Sequence, residues 1–416
     1  MTTLTEEPRA FRLSMLIYDT RYRSMTIQVF ALLGFLALVA WLVNNTVENL
    51  AIAGKDFNFS FLSSRAGYDI SQVLIEYTND STHGRATVVG ILNTLLVASL
   101  GCLLATVIGV LVGVLRLSKN WLVARLMTVY IEGFRNVPVL LWIIAFFAVL
   151  TELTPAPNAF RGDNPTASMF LWDSMAVTNR GTYFPEPLFA RSLGNLDLYY
   201  FKISNDLLAI LAVLFASAWI SARIKRHADK VQNATGVRPA TFLQRLAVSI
   251  LPIVALMFIL GLYLGKPELK GFNFQGGVHL LNSLIALWLA LALYTGAFIA
   301  ENVRAGIMAI SKGQSEAAAA LGIRPGRVMK LVILPQALRV IIPPLISQYL
   351  NLTKNSSLAI AVGYMDIKGT IGGITMNQTG RELESMLLMM FIYLVISLLI
   401  SLAMNIYNSS VSLKER

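Results

Sequence analysis

Side chains able to do chemistry are sparse in this sequence, and their spacing argues against catalysis. His83, His227 and His279 lie far apart, in separate loops or at a span edge, and the single cysteine, Cys102, sits inside an apolar run. That arrangement offers no metal-ligand spacing, nucleophilic triad or disulfide framework. Gly261-Leu262-Tyr263-Leu264-Gly265-Lys266-Pro267 is one residue short of a phosphate-cradling loop and has proline where the magnesium-binding hydroxyl belongs. What remains is charge and polarity set in apolar surroundings. Lys354 stands among Asn351, Thr353, Asn355, Ser356 and Ser357, and a charge inside a membrane costs at least ~2.5 kcal/mol. A rise of ~1.5 Å per residue puts Lys354 about 21 Å along a helix from Val340, too far to snorkel back easily. Lys354, Ser356 and Ser357 are therefore candidates for the lining of a cavity that receives a carboxylate, with interhelical hydrogen bonding as the structural alternative. Asn93 and Thr94, near the end of an earlier apolar run, are candidates of the same kind, and Glu132 and Arg135 are spaced to pair on one helix face.

Such groups need apolar spans to hold them. Of 416 residues, 56% are hydrophobic and 14% charged, and the mean hydropathy is +0.63, the balance of an integral membrane protein. The net charge of +11 does not point to nucleic acid, because the basic residues fall in short loops beside apolar segments. Apolar stretches at 25–43, 86–115, 121–150, 207–222, 246–264, 278–300, 340–362 and 385–406 predict an all-α membrane protein of about eight transmembrane helices. The first follows Arg9, Arg12, Arg21 and Arg23 and reads as a retained span, since Asn44-Asn45-Thr46 offers no small-residue cleavage site. With the amino terminus inside, three inner loops collect the basic residues. Arg116, Lys119 and Arg125 share the first, Arg223, Lys225, Arg226, Lys230, Arg238 and Arg245 the second, and Arg304 to Arg339 the third. Gly109 and Gly113 form a small-xxx-small pair for close helix packing, and 151–277 holds a turn-rich polar segment around two further spans.

The third inner loop carries the one long patterned segment outside the apolar runs, Glu316 to Pro335. Ser311 and Gln314 have capping-box spacing, Glu316 to Leu321 are helix formers, and Gly322 supplies a left-handed residue. Pro325-Gly326 restart the chain, and a second piece from Val328 to Leu334 is expected to close at Pro335. Two short helices joined by a turn are predicted. Glu316, Ala317, Ala318, Gly322, Val332, Leu334 and Pro335 resemble the EAA loop of ABC importer permeases, with Val332 where isoleucine is usual. The flanks Ala300-Glu301-Asn302-Val303-Arg304 and Gln336-Ala337-Leu338-Arg339 resemble permeases for polar amino acids, and the 151–277 insert resembles the general L-amino acid importers. Around Lys354 the family's Leu-Lys-x-Thr-Ser-Leu is kept at Lys354 and Leu358, with Ser356 in place of threonine.

The resemblance implies a type I importer core of five helices in 86–150 and 278–406, with the elbow at 311–335. Around it lie a cytoplasmic segment 1–24, an extra first span 25–43, the insert 151–277 and a cytoplasmic tail 407–416. It further implies a multi-pass bacterial inner-membrane subunit, not an enzyme, that moves L-amino acids by alternating access. No cofactor is its own, because ATP is bound by a partner. The implied partners are a second, related permease, two ABC ATPases at the elbow, a periplasmic amino-acid-binding protein and membrane lipid, with no nucleic acid. Glu316 would face a basic residue of the ATPase. The alternative is an ion-coupled secondary transporter, which needs buried carboxylates or broken helices.

Overall fold

The computed structural model describes residues 18–411 apart from 53, 55, 163, 199 and 200. Most of the expected basic start, including Arg9 and Arg12, and the last five residues of the expected tail lie outside the described residues. The chain divides into two units, one ending at Phe61 and one starting at Leu62. The first unit is built on α1 (Thr20–Ile52). Phe30, Phe35, Leu38 and Trp41 all stand exposed on it, the all-round apolar surface of a helix meant for lipid.

The second unit contains α2 (His83–Leu115), α3 (Trp121–Asn136), α4 (Val139–Glu152), α5 (Asn205–Thr235), α6 (Phe242–Leu260), α7 (Asn282–Met308), α8 (Lys312–Ala320), α9 (Pro325–Val328), α10 (Leu334–Asn355), α11 (Ile367–Gly369), α12 (Met376–Thr379) and α13 (Glu382–Val411). Among the described residues seven helices are long and apolar enough to cross a membrane, or eight if the bent pair α3–α4 is one span. That pair covers the apolar stretch at 121–150 as two helices that meet at 106°. The cause is local. Pro138 disfavours helical backbone at the residue before it, and Val137 is extended at φ −109°, ψ 133°. The expected Glu132–Arg135 pair is not formed: Arg135 lies over the Phe298 ring at 5.3 Å, and Glu132 accepts from Asn136 Nδ2 at 3.2 Å.

α7 is the core helix, with α2, α4 and α10 packed around it. Leu287, Leu291 and Ile299 of α7 are fully buried, with Val97 of α2, Ile143 of α4 and Leu352 of α10 in the same cluster. Lipid tails are as apolar as leucine, so close dispersion contact, not escape from water, holds these helices together. Gly113 lets it happen, since a Cβ there would sit 2.6 Å from the Ala300 carbonyl oxygen and 2.9 Å from Val303 Cβ.

Nine short strands also form among the described residues, seven in the segment expected as polar around the middle spans and two, Leu262–Gly265 and Val278–Leu280, at the edges of the expected spans 246–264 and 278–300, whose helices stop at Leu260 and start at Asn282. β1 (Ala176–Thr178), β2 (Gly181–Phe184) and β9 (Val278–Leu280) form one antiparallel sheet. β3 (Glu186–Phe189) pairs with β6 (Leu262–Gly265), while β4 (Asn195–Leu198) with β5 (Phe201–Ser204), and β7 (Glu268–Lys270) with β8 (Asn273–Gln275), are hairpins. The β2–β9 and β3–β6 ladders join the chain before α5 to the chain after α6. The two middle spans therefore leave and re-enter a single module. Tyr183 and His279 stack across the β2–β9 ladder at 4.3 Å, and the Tyr183 hydroxyl donates to Asn273 Oδ1 at 2.9 Å.

Candidate coupling elbow and polar seam

The elbow forms as the sequence suggests at its turn. α8 ends in two bonds of a Schellman cap, Ile323 N–H to the Ala318 carbonyl at 3.2 Å and Gly322 N–H to the Ala319 carbonyl at 2.9 Å. Gly322 sits at φ +73°, a conformation costly for any residue with a Cβ. At the other end Ser311 occupies the N-cap, but its hydroxyl makes no capping bond, so the expected capping box is not formed. Ala318 and Val328 are buried within the elbow, whereas Glu316 and Ala317 are exposed. Leu321, Met329 and Leu331 are also uncovered, at 80%, 45% and 64%, an apolar rim beside a carboxylate.

Pro335 does not close the second helix, as expected from sequence, but stands in the first turn of α10. A π-turn over Met329–Ile333 precedes it. A proline clashes with the carbonyl four residues earlier, here Leu331, and the wider π-turn takes up that misfit without ending the helix. Val332, Leu334 and Pro335 thus form the joint through which the elbow runs into α10. The helical run from Pro325 to Val362 covers 38 residues.

Toward the elbow end, Glu301 of α7 accepts from Arg304 at 2.6 Å and 3.1 Å and from Arg116, which caps α2. All three side chains are 18–28% exposed, so this bridge is worth more than a surface ion pair and leaves a costly orphan if one member is removed.

Toward the strand end lies a buried polar seam between α2 and the chain after Gly363. Asn93 Nδ2 donates to the carbonyls of Gln72 and Met365, both at 2.8 Å, and the Tyr364 hydroxyl donates to the Asn93 carbonyl at 3.2 Å. Thr94 Oγ1 accepts from Ile367 N–H at 3.2 Å. Asp366 is fully buried and accepts from Gly369 N–H at 2.9 Å and from the Tyr393 hydroxyl at 3.0 Å. Sequence reasoning missed Asp366. Its signal was available: it is the sole acidic residue between Val340 and Gly380, placed as an N-cap.

The five candidate cavity residues do not converge. Asn93, Thr94 and Ser356 are wholly buried in packed protein, Ser356 donating to the Thr353 carbonyl at 2.8 Å. Lys354 is exposed and Ser357 partly so, and among the described residues no carboxylate pairs with Lys354. Lys354 thus stands on the uncovered side of α10. α10 buries Ala337, Ile341, Ile342, Leu352 and Thr353, and a residue two after Leu352 points away from that face.

The family described as binding-protein-dependent transport system inner membrane component matches residues 236–413. Over the full length of both chains the sequence is 61% identical to the glutamate/glutamine/aspartate/asparagine transport system permease protein BztB of Rhodobacter capsulatus. It is 43% identical to the general L-amino acid transport system permease protein AapQ of Rhizobium johnstonii, over 98% of this chain and 96% of the relative. The putative amino-acid ABC transporter permease protein YhdX of Escherichia coli is 42% identical over 95% of each chain. Full-length similarity of this order, on a membrane fold whose exposed elbow carries the Glu316–Pro335 pattern, places the chain in the family of inner-membrane permeases of binding-protein-dependent ABC importers.

Proposed function

We propose that this permease carries polar L-amino acids across the bacterial inner membrane and that its Glu316 elbow is the seat of a separate ATPase. The elbow is the observation that carries the reading. An exposed carboxylate beside an uncovered apolar rim suits a partner groove with a basic wall, and the unbroken run from Pro325 to Val362 would transmit a push at the elbow as a rod. The relatives' names supply the substrate class. ATP belongs to the ATPase, of which two copies would serve this chain and a second, related permease, with a periplasmic binding protein at the strand module. The division of the chain follows: a core in 86–150 and 278–406, with 25–43 and 151–277 as additions. Lys354 and Ser357, on the uncovered side of α10, would face the translocation path, while Asn93, Thr94 and Ser356 brace its wall. An ion-coupled carrier finds no support, since Asp366, the buried carboxylate in this region, is committed to Gly369 and Tyr393.

The test uses the complete complex in nanodiscs. Glu316→Lys should leave insertion intact yet abolish stimulation of ATP hydrolysis by loaded binding protein, and uptake with it. Lys354→Met should lower uptake while basal hydrolysis persists. Normal uptake by the Glu316 variant would remove the elbow from coupling; normal uptake by the Lys354 variant would remove only that residue from the path.

A further inference from the structure

The far ends of α5 and α6 carry a feature that transport does not use. Between Trp219 and Arg245 the sequence has six basic residues, Arg223, Lys225, Arg226, Lys230, Arg238 and Arg245, and a single acid, Asp229. Asp229 is taken by Arg238 at 2.8 Å. Arg245 Nε donates to Ser221 Oγ at 3.2 Å and ties the first turn of α6 to α5. Between the two helices lies a cavity of about 410 Å³, lined by Arg223, His227, Ala228, Pro239, Thr241 and Gln244.

Depth and orientation define what such a cavity meets. Arg223 is 18 residues beyond the start of α5 at Asn205, about 27 Å along the helix, against a hydrocarbon core of about 30 Å. Its guanidinium therefore reaches headgroup level. It lies 4.0 Å over the Trp219 ring, which fixes its plane, and among the described residues no carboxylate pairs with it. Next to the cavity, Phe242 and Leu243 stand 74% exposed. A planar, unneutralised cation at headgroup depth with bare apolar side chains beside it complements an anion that carries acyl chains.

We propose that this cavity binds the phosphate headgroup of an anionic phospholipid, with Arg223 held by Trp219 as the principal donor, Thr241 and Gln244 on the opposite wall, and the acyl chains along Phe242 and Leu243. The two inserted spans are then not bare apolar rods but a lipid-reading element of the permease.

The full-length chain is placed in nanodiscs of phosphatidylcholine with a minor fraction of phosphatidylglycerol, and the phosphatidylglycerol retained is counted by native mass spectrometry. Both leaflets are identical, so the outcome does not depend on which end faces the cytoplasm. Arg223→Ala should weaken retention about fivefold, while Lys225→Ala, which removes the same charge from the same helix outside the cavity, should stay near the parent. The double change Thr241→Val, Gln244→Leu gives an independent reading from the other wall, with an expected loss of similar size, should Arg223→Ala fail to fold. Equal losses in the Arg223 and Lys225 variants would mean diffuse charge and overturn the site, as would no loss in a folded Arg223→Ala or double variant. Displacement of the lipid by excess inorganic phosphate would show a free-anion site instead.

Discussion

Gly90 shows how closely the seam is built. A Cβ there would drive into Thr370 Oγ1 and lie 2.9 Å from the Asp366 carbonyl oxygen, so Gly90→Ala should cost about 1–3 kcal/mol by overpacking. Gly133, on α3, has nothing within 4 Å of the same position, and Gly133→Ala should gain up to about 1 kcal/mol of helix propensity. Thermal unfolding of the two purified variants checks the opposite signs; a neutral Gly90→Ala would mean that the seam is looser than its distances state. Sequence could name Gly109 and Gly113 as packing residues because their spacing repeats along one helix face. Gly90 escaped, since its neighbours come from a segment 270 or more residues away. For Lys354 the chain alone was less informative about facing: hydropathy measures depth, and the uncovered side of α10 follows from Leu352 and Thr353 packing inward.

At the level of elements, the long apolar helices were legible because length and composition alone specify them. Breaks were harder. Pro138 bends α3 from α4, yet Pro335, Pro343 and Pro344 all sit within α10, because a preceding π-turn and tertiary packing absorb them. The strands were not legible: runs of three or four residues carry too little alternation, and the partners of β2–β9 and β3–β6 lie on either side of the α5–α6 excursion. One consequence concerns pH. His279, on β9, is pulled below its ordinary pKa of 6.5 by burial, an effect only partly opposed by the Arg180 carbonyl. A depressed histidine favours the neutral form in the folded module, so its contribution is complete above pH 6.5. Acidification through that value protonates the unfolded chain first, and stability falls until the folded-state pKa is passed. Protection factors of the β2–β9 ladder amides, that is, exchange corrected for its intrinsic pH dependence, should therefore fall from pH 7.5 to 5.5, and His279→Gln should flatten that dependence. A slope unchanged by the substitution would assign it to other groups.

Across the whole second unit the two ends are chemically distinct. Every strand lies at the end where α2, α5 and α7 begin, and the elbow lies at the end where α7 finishes and α10 begins. Arg116, Lys119 and Arg125, then the Arg223 to Arg245 group, then Arg304 to Arg339 all collect at the elbow end, which the positive-inside bias assigns to the cytoplasm. Loops of the second unit carry most of this bias, beside the four arginines Arg9, Arg12, Arg21 and Arg23 before and at the start of α1. Orientation should therefore survive removal of residues 1–61, although α2 would then be the first span to insert. In a Cys102→Ala background, a cysteine at Asn273 should react with an impermeant thiol reagent in intact cells, and one at Glu316 only after permeabilisation, with the same pattern in the shortened chain. Labelling of the Glu316 position from outside in the full-length chain would reverse the assignment of the elbow to the ATPase side. Mixed labelling confined to the shortened chain would show that the basic loops are too weak to set topology without α1, and that the extra first span exists to decide which way the permease faces.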